Sequence, residues 1–359
     1  MRITLFISSL YGGGAERVTC NLANYLVQHG YVVEILTMAE TTESYELDSQ
    51  VSVVSLLPIM GRKNKLWNTL VRFPRLWRYM RAHQRDVYVV MLPVTTIMLL
   101  LFKKLTKAKV VATERVDPAV YPLWMGQSLK ILAKRADAFV FQTEDAKAWY
   151  GESVRNIKTA VIPNAINPTF IRPLYQGKKR KVIAGAGRLN DQKNFSLLIR
   201  AFAKIATDFP DYNLVIYGEG DKRGELEKQA NELGLKERVF LPGNIQNIAE
   251  EMEQNSAFVL SSDYEGMPNA LMEAMALGIP CISTDCPCGG PRFLIRNGEN
   301  GVLVPVGDEE KMAESMRRIL EDSKLRESIA AKAIEIQEQL APEKIYGKWE
   351  EFLERVCED

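Results

Sequence analysis

Histidine is nearly missing from this 359-residue chain, which carries two, His29 and His83. The five cysteines, Cys20, Cys281, Cys286, Cys288 and Cys357, follow no framework spacing. Neither histidine lies near the Cys286/Cys288 pair in sequence, so a zinc site is not expected. No apolar run is long enough to span a bilayer. The longest, Val87 to Phe102, is broken by Pro93, Thr95 and Thr96, short of the roughly 20 residues a membrane-crossing helix needs. There is no internal repeat and no low-complexity segment. The opening MRITLFISSL holds one basic residue and a short apolar run that meets a glycine turn. It reads as a first strand rather than a secretion signal, and a reducing cytosol is the expected location.

What is present is a globular composition, 47% hydrophobic and 25% charged, in a chain long enough for two cores of ordinary domain size. The net charge of +1 hides an asymmetry. Met1 to Arg172 carries 22 Lys+Arg against 13 Asp+Glu, and the remainder 24 against 32. Much of the basic excess lies between Arg62 and Arg85, where Arg62, Lys63, Lys65, Arg72, Arg75, Arg78, Arg81 and Arg85 alternate with apolar and aromatic residues. Two readings stand equally: a helix that lies on a membrane surface, or a core helix with a basic solvent face. No nucleic-acid partner is expected.

Short apolar runs alternate with helix-patterned segments, the signature of parallel sheets covered on both faces. In the first series strands are expected at Ile3 to Ser8, Val32 to Thr37, Val51 to Ser55, Val87 to Leu92, Lys109 to Thr113 and Ala138 to Gln142. The stretch VIPNAINPTFIRPL, with Pro163, Pro168 and Pro173, reads as an interdomain linker. A second series runs from KVIAGAG through Asn213 to Tyr217, Val239 to Leu241, Ala257 to Ser261, Cys281 to Thr284 and Gly301 to Val304. The expected organisation is a doubly wound α/β domain over 1–168, a second over 169–341, and a last helix over 342–359 that packs back on the first. Ligands of such sheets gather beyond the carboxyl ends of the strands, and two facing sheets make a cleft.

The stretch SSDYEGMPNALMEAMALGIPCIS is the most informative. It leads from a strand end through a glycine and proline loop into a helix expected to begin near Asn269. Glu265 then lies in the loop and Glu273 one turn inside the helix, so both carboxylates border one cleft without touching. An ionised carboxylate accepts hydrogen bonds from two vicinal hydroxyls, as a sugar ring or a ribose offers. Between them the amides of Gly266, Met267, Asn269 and Ala270 belong to a helix start suited to phosphate. Further upstream, GAGRLNDQKN puts Arg188 and Lys193 on a loop after a strand, where two cations can clamp a diphosphate. The dinucleotide fingerprint is not completed there, because Asn190 stands at the third glycine and no acidic residue ends the second strand.

EGMPNALMEAMALGIPCI resembles the signature of two glutamates with seven residues between them in the family 4 retaining glycosyltransferases, which have the GT-B fold. YGGGAERV, IPNAIN, GRLNDQKNFSLLIRAF, LVIYGEGDKRGELE, VFLPGN and KWEEFL extend the resemblance over most of the chain. It implies two Rossmann-like domains, with Glu265 on the donor sugar, Glu273 on the ribose, and Arg188 and Lys193 on the diphosphate. It implies a donor-phosphate or acceptor contact for Gly13 and Gly14, although three glycines alone equally mark a tight turn. The loops at Gly218 to Gly220 and Gly243 to Asn244 resemble those that flank the nucleotide base.

In the first domain ATERVDPAVY differs from the commoner pattern, with Arg115 where many members have histidine. It is similar to the Glu-Arg-Asn-Asp-Pro of members that build capsular and exopolysaccharides, with Val116 for the Asn. Glu114, Arg115 and Asp117 read either as site residues or as an internal ion pair. Gly289 and Gly290 in CPCGGPRFLI read as a donor-sugar loop or a plain turn.

The activity implied is retaining transfer of a hexose or N-acetylhexosamine from a UDP-sugar to a lipid-diphosphate-linked saccharide. The donor would sit on the second domain and the acceptor on the first, peripheral to the cytoplasmic face of a membrane. No metal cofactor is expected, since two cations balance the diphosphate. A nucleotide-sugar epimerase and a non-catalytic donor-binding subunit are the alternatives.

Overall fold

Strand Val87–Val90 has all four side chains buried, and Ala138–Phe141 likewise. Strands covered on both faces must be apolar throughout rather than alternating, which is why these runs read as continuous. A computed structural model describes residues 1–39, 45–57, 65–83 and 85–358, the side chains of 65–70 excepted. The chain divides into two compact units, Met1–Ala165 with Glu343–Asp359, and Ile166–Pro342.

In the first unit the strands are β1 Arg2–Ile7, β2 Val32–Thr37, β3 Ser52–Ser55, β4 Val87–Val90, β5 Lys109–Thr113, β6 Ala138–Phe141 and β7 Lys158–Val161. They form a parallel sheet in the order β3-β2-β1-β4-β5-β6-β7 among the described residues. Its helices are α1 Gly14–Gln28, α2 Lys65–Ala82, α3 Pro93–Leu101, α4 Leu123–Ala133 and α5 Glu144–Tyr150. β7 is not among the expected strands and ends at Val161, where the expected linker begins. It is a half-buried edge strand, and its four residues lack the apolar run that marks the inner strands.

The second unit holds β8 Arg180–Ala186, β9 Asn213–Tyr217, β10 Val239–Gly243, β11 Asn255–Leu260, β12 Cys281–Thr284 and β13 Val302–Val304. Their order is β10-β9-β8-β11-β12-β13, again parallel. Helices α6 Phe195–Ala203, α7 Arg223–Glu232, α8 Ile248–Met252, α9 Asn269–Ala276, α10 Gly290–Leu294, α11 Glu309–Glu321, α12 Ser323–Ala333 and α13 Ile336–Gln339 follow, and α14 Pro342–Glu358 ends the chain. In both sheets the strand order reverses beside the first strand, between β1 and β4 and between β8 and β11, the position at which doubly wound sheets take ligands.

Helix α14 packs within the first unit. Tyr25 donates from its hydroxyl to Glu350 (3.2 Å) and Tyr31 to Glu354 (2.6 Å), while Trp349 is completely buried. Trp349→Ala is expected to cost about 3–5 kcal/mol through lost transfer energy and a large cavity. Urea denaturation of the whole chain checks this, and an unshifted midpoint would show that α14 adds nothing to the unit.

Helix α2 decides one of the open readings. Leu76, Tyr79 and Met80 are buried, whereas Arg75, Arg78 and Arg81 are exposed. Arg72 Nε donates to the Met38 carbonyl (3.2 Å) and Arg75 Nη1 to that of Leu56 (2.7 Å). Its apolar stripe is spent on the core of its own unit, so over 71–82 this is a core helix with a basic solvent face. Arg62 and Lys63 lie outside the described residues.

Candidate active site

Lys193 and Glu265 are 72 residues apart in sequence, yet Lys193 Nζ lies 2.5 Å from Glu265 Oε1. The two sit in the loops after β8 and β11, the strands that flank the point of reversal. Glu265 is 6% exposed. A carboxylate so buried needs partners for both oxygens. Ser262 Oγ donates to Oε1 at 2.7 Å, and Gln192 Nε2 reaches Oε2 at 3.4 Å while also donating to the Tyr264 carbonyl at 3.0 Å. The two loops are sewn together further. The Asp263 amide donates to the Gln192 carbonyl (2.9 Å), Asn194 Nδ2 to Asp263 Oδ1 (2.7 Å), and Ser261 Oγ to the Lys193 carbonyl (2.8 Å). Asp263 is therefore engaged in loop closure.

Nothing in the sequence marks Gln192 or Ser262, since neither residue type signals a site by itself. Ser262 stands three residues before Glu265 in the same loop, the one local cue to it.

Beyond Glu265 the loop enters α9, which begins at Asn269 with no side-chain cap. Its first amides, at Asn269 and Ala270, have no carbonyl within the helix to donate to, as at every helix start. Gly266 and Met267 are buried and Asn269 and Ala270 half-buried. Glu273 is 9% exposed on the same helix. The loop is braced by Gly290, where a Cβ would collide with the Gly266 carbonyl and with Pro268. No other residue permits that approach. Cys286 is buried beside this corner, its thiol pushed up to about 12 by burial and then by the charge of Glu265.

On the other side of the reversal Gly218, at φ +133°, leaves no space between its Cα and the Gly187 carbonyl. Backbone bonds from Gly187 to Tyr217 (2.9 Å) and from Gly218 to Gly243 (2.9 Å) stack the ends of β8, β9 and β10, and Asn244 is exposed at the last of them. Arg188 projects from this layer. Its side chain is exposed and joins no ion pair among the described residues, which leaves a guanidinium open to an anion.

In the first unit Gly13 caps α1 with extended backbone, and Gly14 opens the helix. A Cβ at Gly13 would strike the Glu16 carboxylate. At the end of β5, Glu114 is 2% exposed and accepts from the Tyr121 hydroxyl (2.6 Å), the Tyr150 hydroxyl (2.7 Å) and the Arg115 amide (3.0 Å). Burial raises its pKa, and these hydrogen bonds offset part of that rise. Arg115 Nη1 donates to Asn164 Oδ1 at 2.8 Å, and the guanidinium lies over the Trp349 ring, 5.4 Å from its centroid. Burial pushes Arg115 down to about 10. Its Nε and Nη2 have no hydrogen-bond partner among the described residues. Asp117 caps a single helical turn by accepting from the Ala119 amide. No salt bridge joins Glu114, Arg115 and Asp117 among the described residues, because tyrosines and Asn164 supply the partners instead.

Two doubly wound parallel-sheet units in one chain are the architecture of the GT-B fold. Residues 168–336 match the family model described as glycosyl transferases group 1, and residues 12–170 match that of glycosyltransferase family 4. The chain belongs to this family of glycosyltransferases. It is 30% identical over 355 residues to a Campylobacter jejuni N-acetylgalactosamine-N,N'-diacetylbacillosaminyl-diphospho-undecaprenol 4-alpha-N-acetylgalactosaminyltransferase, covering 92% of this chain and 93% of that one. It is 37% identical over 230 residues to an exopolysaccharide phosphotransferase of Streptomyces coelicolor, but that match takes in 63% of this chain and spans about a quarter (24%) of the relative. Among solved structures, Anabaena HepE in complex with UDP and glucose superposes with a TM-score of 0.84 at 20% identity, over 98% of this chain and 99% of HepE.

Proposed function

We propose that the protein transfers a hexose or N-acetylhexosamine from a UDP-sugar to a lipid-diphosphate-linked saccharide, with retention at the anomeric carbon. The observation that carries this reading is the Lys193–Glu265 pair at the point of strand reversal. In this pair each group satisfies the other. When a diphosphate arrives, Lys193 turns to it together with Arg188 and the α9 amides, and Glu265 is released to accept from sugar hydroxyls. Glu273 takes the ribose, and the backbone at Gly218 to Gly220 and Gly243 to Asn244 flanks the base. Two side-chain cations and a helix start meet the diphosphate charge without a metal.

As the anomeric C–O bond breaks, negative charge grows on the departing UDP. Arg188, Lys193 and the α9 amides lie ready for it, the kind of preorganised stabilisation that lowers barriers most. The acceptor hydroxyl attacks from the same face, forming the new C–O bond, and its proton passes to the leaving phosphate oxygen. No enzyme carboxylate is needed as nucleophile. The first unit takes the acceptor. There Gly13 and Gly14 approach substrate through backbone, and Arg115, enclosed by Asn164 and Trp349, positions the end of β5. The lipid-diphosphate in the C. jejuni relative's name and the UDP bound to HepE support the choice of acceptor and donor. Such an acceptor would bring the enzyme to a membrane surface, and we propose the cytoplasmic face.

A panel of UDP- and GDP-sugars tests the donor. One UDP-sugar at a hundred times its Kd is expected to stabilise the protein by about 2.7 kcal/mol, read as a rise in Tm. It should release UDP only when a lipid-diphosphate saccharide is added. Stabilisation by GDP-sugars alone removes the UDP assignment, and interconversion of UDP-sugars without acceptor makes the protein an epimerase.

A further inference from the structure

Asn194 stands between the single helical turn Asp191–Lys193 and helix α6, at φ +43° and ψ +47°. That left-handed backbone favours glycine, and asparagine is among the few other residues that adopt it. What asparagine adds to such a corner is a carboxamide, and here both of its ends are engaged. Oδ1 accepts from the Leu197 amide at 3.2 Å and caps α6. Nδ2 donates to Asp263 Oδ1 at 2.7 Å, across 69 residues of sequence. Chemistry fixes the direction of this second bond, since an ionised carboxylate only accepts and a carboxamide nitrogen only donates.

The bond sits beside both groups that carry the donor reading. Lys193 immediately precedes Asn194, and Glu265 follows Asp263 by two residues. Other bonds already cross the same two loops, at the carbonyls of Gln192 and Lys193. They fix where the chains meet, but a carbonyl is indifferent to the charge around it. The Asn194–Asp263 bond does depend on charge. Asp263 is half-buried and joins no ion pair among the described residues. A half-buried carboxylate has to be met by a donor, and a neutral one meets it without drawing the ammonium of Lys193 away from Glu265.

We propose that Asn194 and Asp263 form a latch that holds Lys193 in register with Glu265, as positioning residues for transfer and not as ligands of the donor. This deepens the reading of Lys193 and Glu265 as donor ligands and rests on it. One donor has to meet both groups at once, its diphosphate at Lys193 and its sugar hydroxyls at Glu265, so the spacing of the two loops sets where the anomeric carbon lies. A misplacement of about 1 Å there costs about a hundredfold in rate. With the latch open, the Asp263 carboxylate competes for Lys193, and the pair loses the geometry that the donor is to enter.

Exchanging the two side chains in the full chain tests the latch. N194D leaves α6 capped, because aspartate serves as a helix cap and tolerates left-handed backbone, yet it sets two carboxylates against each other. N194D/D263N reverses donor and acceptor and restores the bond. Lys193, whose side chain is 16% exposed, should react slowly with the acetyl ester of N-hydroxysuccinimide in wild type, read by mass spectrometry. In N194D it should react about fivefold faster, within the range of coupling between groups in contact, and the exchanged pair should return it to the wild-type rate. Lys179, half-buried just before β8 and so at the other end of that strand, should keep its rate throughout. Transfer is followed beside the labelling, with the UDP-sugar that stabilises wild type. There kcat should fall about 10–100-fold in N194D and return in the exchanged pair, while the Kd for UDP stays unchanged. A Lys193 rate that ignores N194D, an exchanged pair no better than N194D, or a Lys179 rate that rises with that of Lys193 overturns the latch, the last by making Asn194 a support of the whole unit. Labelling that follows the expected pattern in a protein without transfer removes the proposed function and leaves the latch standing, whereas transfer at wild-type speed by N194D does the reverse.

Discussion

Arg188→Gln is expected to lower kcat by about 10²–10³-fold, the usual loss when one preorganised contact to developing charge is removed, while Tm stays where it is. The second half of that expectation gives the test its force. Arg188 is exposed and joins no ion pair among the described residues, so its removal should change stability by no more than about 0.5 kcal/mol. A loss of rate there cannot be put down to unfolding. Lys193→Gln is less clean, because it strips a partner from a carboxylate that is 6% exposed, and a buried charge left without its counterpart destabilises. Combining the two changes should cost about 10³-fold or more in kcat and remove the thermal stabilisation by UDP. Steady-state kinetics with thermal melts check both. Full-speed transfer by the double variant would end the diphosphate assignment.

Glu265→Gln separates sugar recognition from diphosphate recognition. The amide keeps the size of the side chain and can still bond Ser262 and Gln192, but it no longer holds Lys193 by charge. Transfer should fall by about 10²–10³-fold. UDP without its sugar should bind no more weakly than to wild type, because Lys193 no longer has to leave a carboxylate to reach the diphosphate. Calorimetric titration of UDP beside initial rates decides the matter. If UDP affinity and rate fell together, Glu265 would be a support for the loop and not a ligand of the sugar.

Much of the architecture is legible in local pattern. Val32 to Thr37, Lys109 to Thr113, Asn213 to Tyr217 and Cys281 to Thr284 are strands with the expected limits, since each is built around a short run of buried apolar residues bounded by polar ones. The start of α9 at Asn269 follows from the glycine and proline before it. Edge strand β7 escapes because an edge needs no such run, and Lys158–Val161 looks like the approach to the prolines that follow.

The site divides in the same way. Glu265, Arg188 and Lys193, in loops after strands, and Glu273, one turn inside α9, stand out because their spacing has a chemical meaning. Gln192 and Ser262, which complete the shell of Glu265, carry no such mark. Helices α2 and α4 make the point most sharply. α2 has the stronger membrane-like pattern, yet over 71–82 it turns Leu76, Tyr79 and Met80 into its own core, while the less conspicuous α4 leaves Trp124 and Ile131 outside.

The residues alone determined that parallel sheets form, where their inner strands run, and which charged groups have chemistry to offer, because those properties depend on neighbours in the chain. Contact across 72 residues between Lys193 and Glu265, the tyrosines that enclose Glu114, and the direction each helix face points were decided by tertiary structure. Those depend on how layers stack, and a helix buries whichever stripe the sheet beneath it can cover.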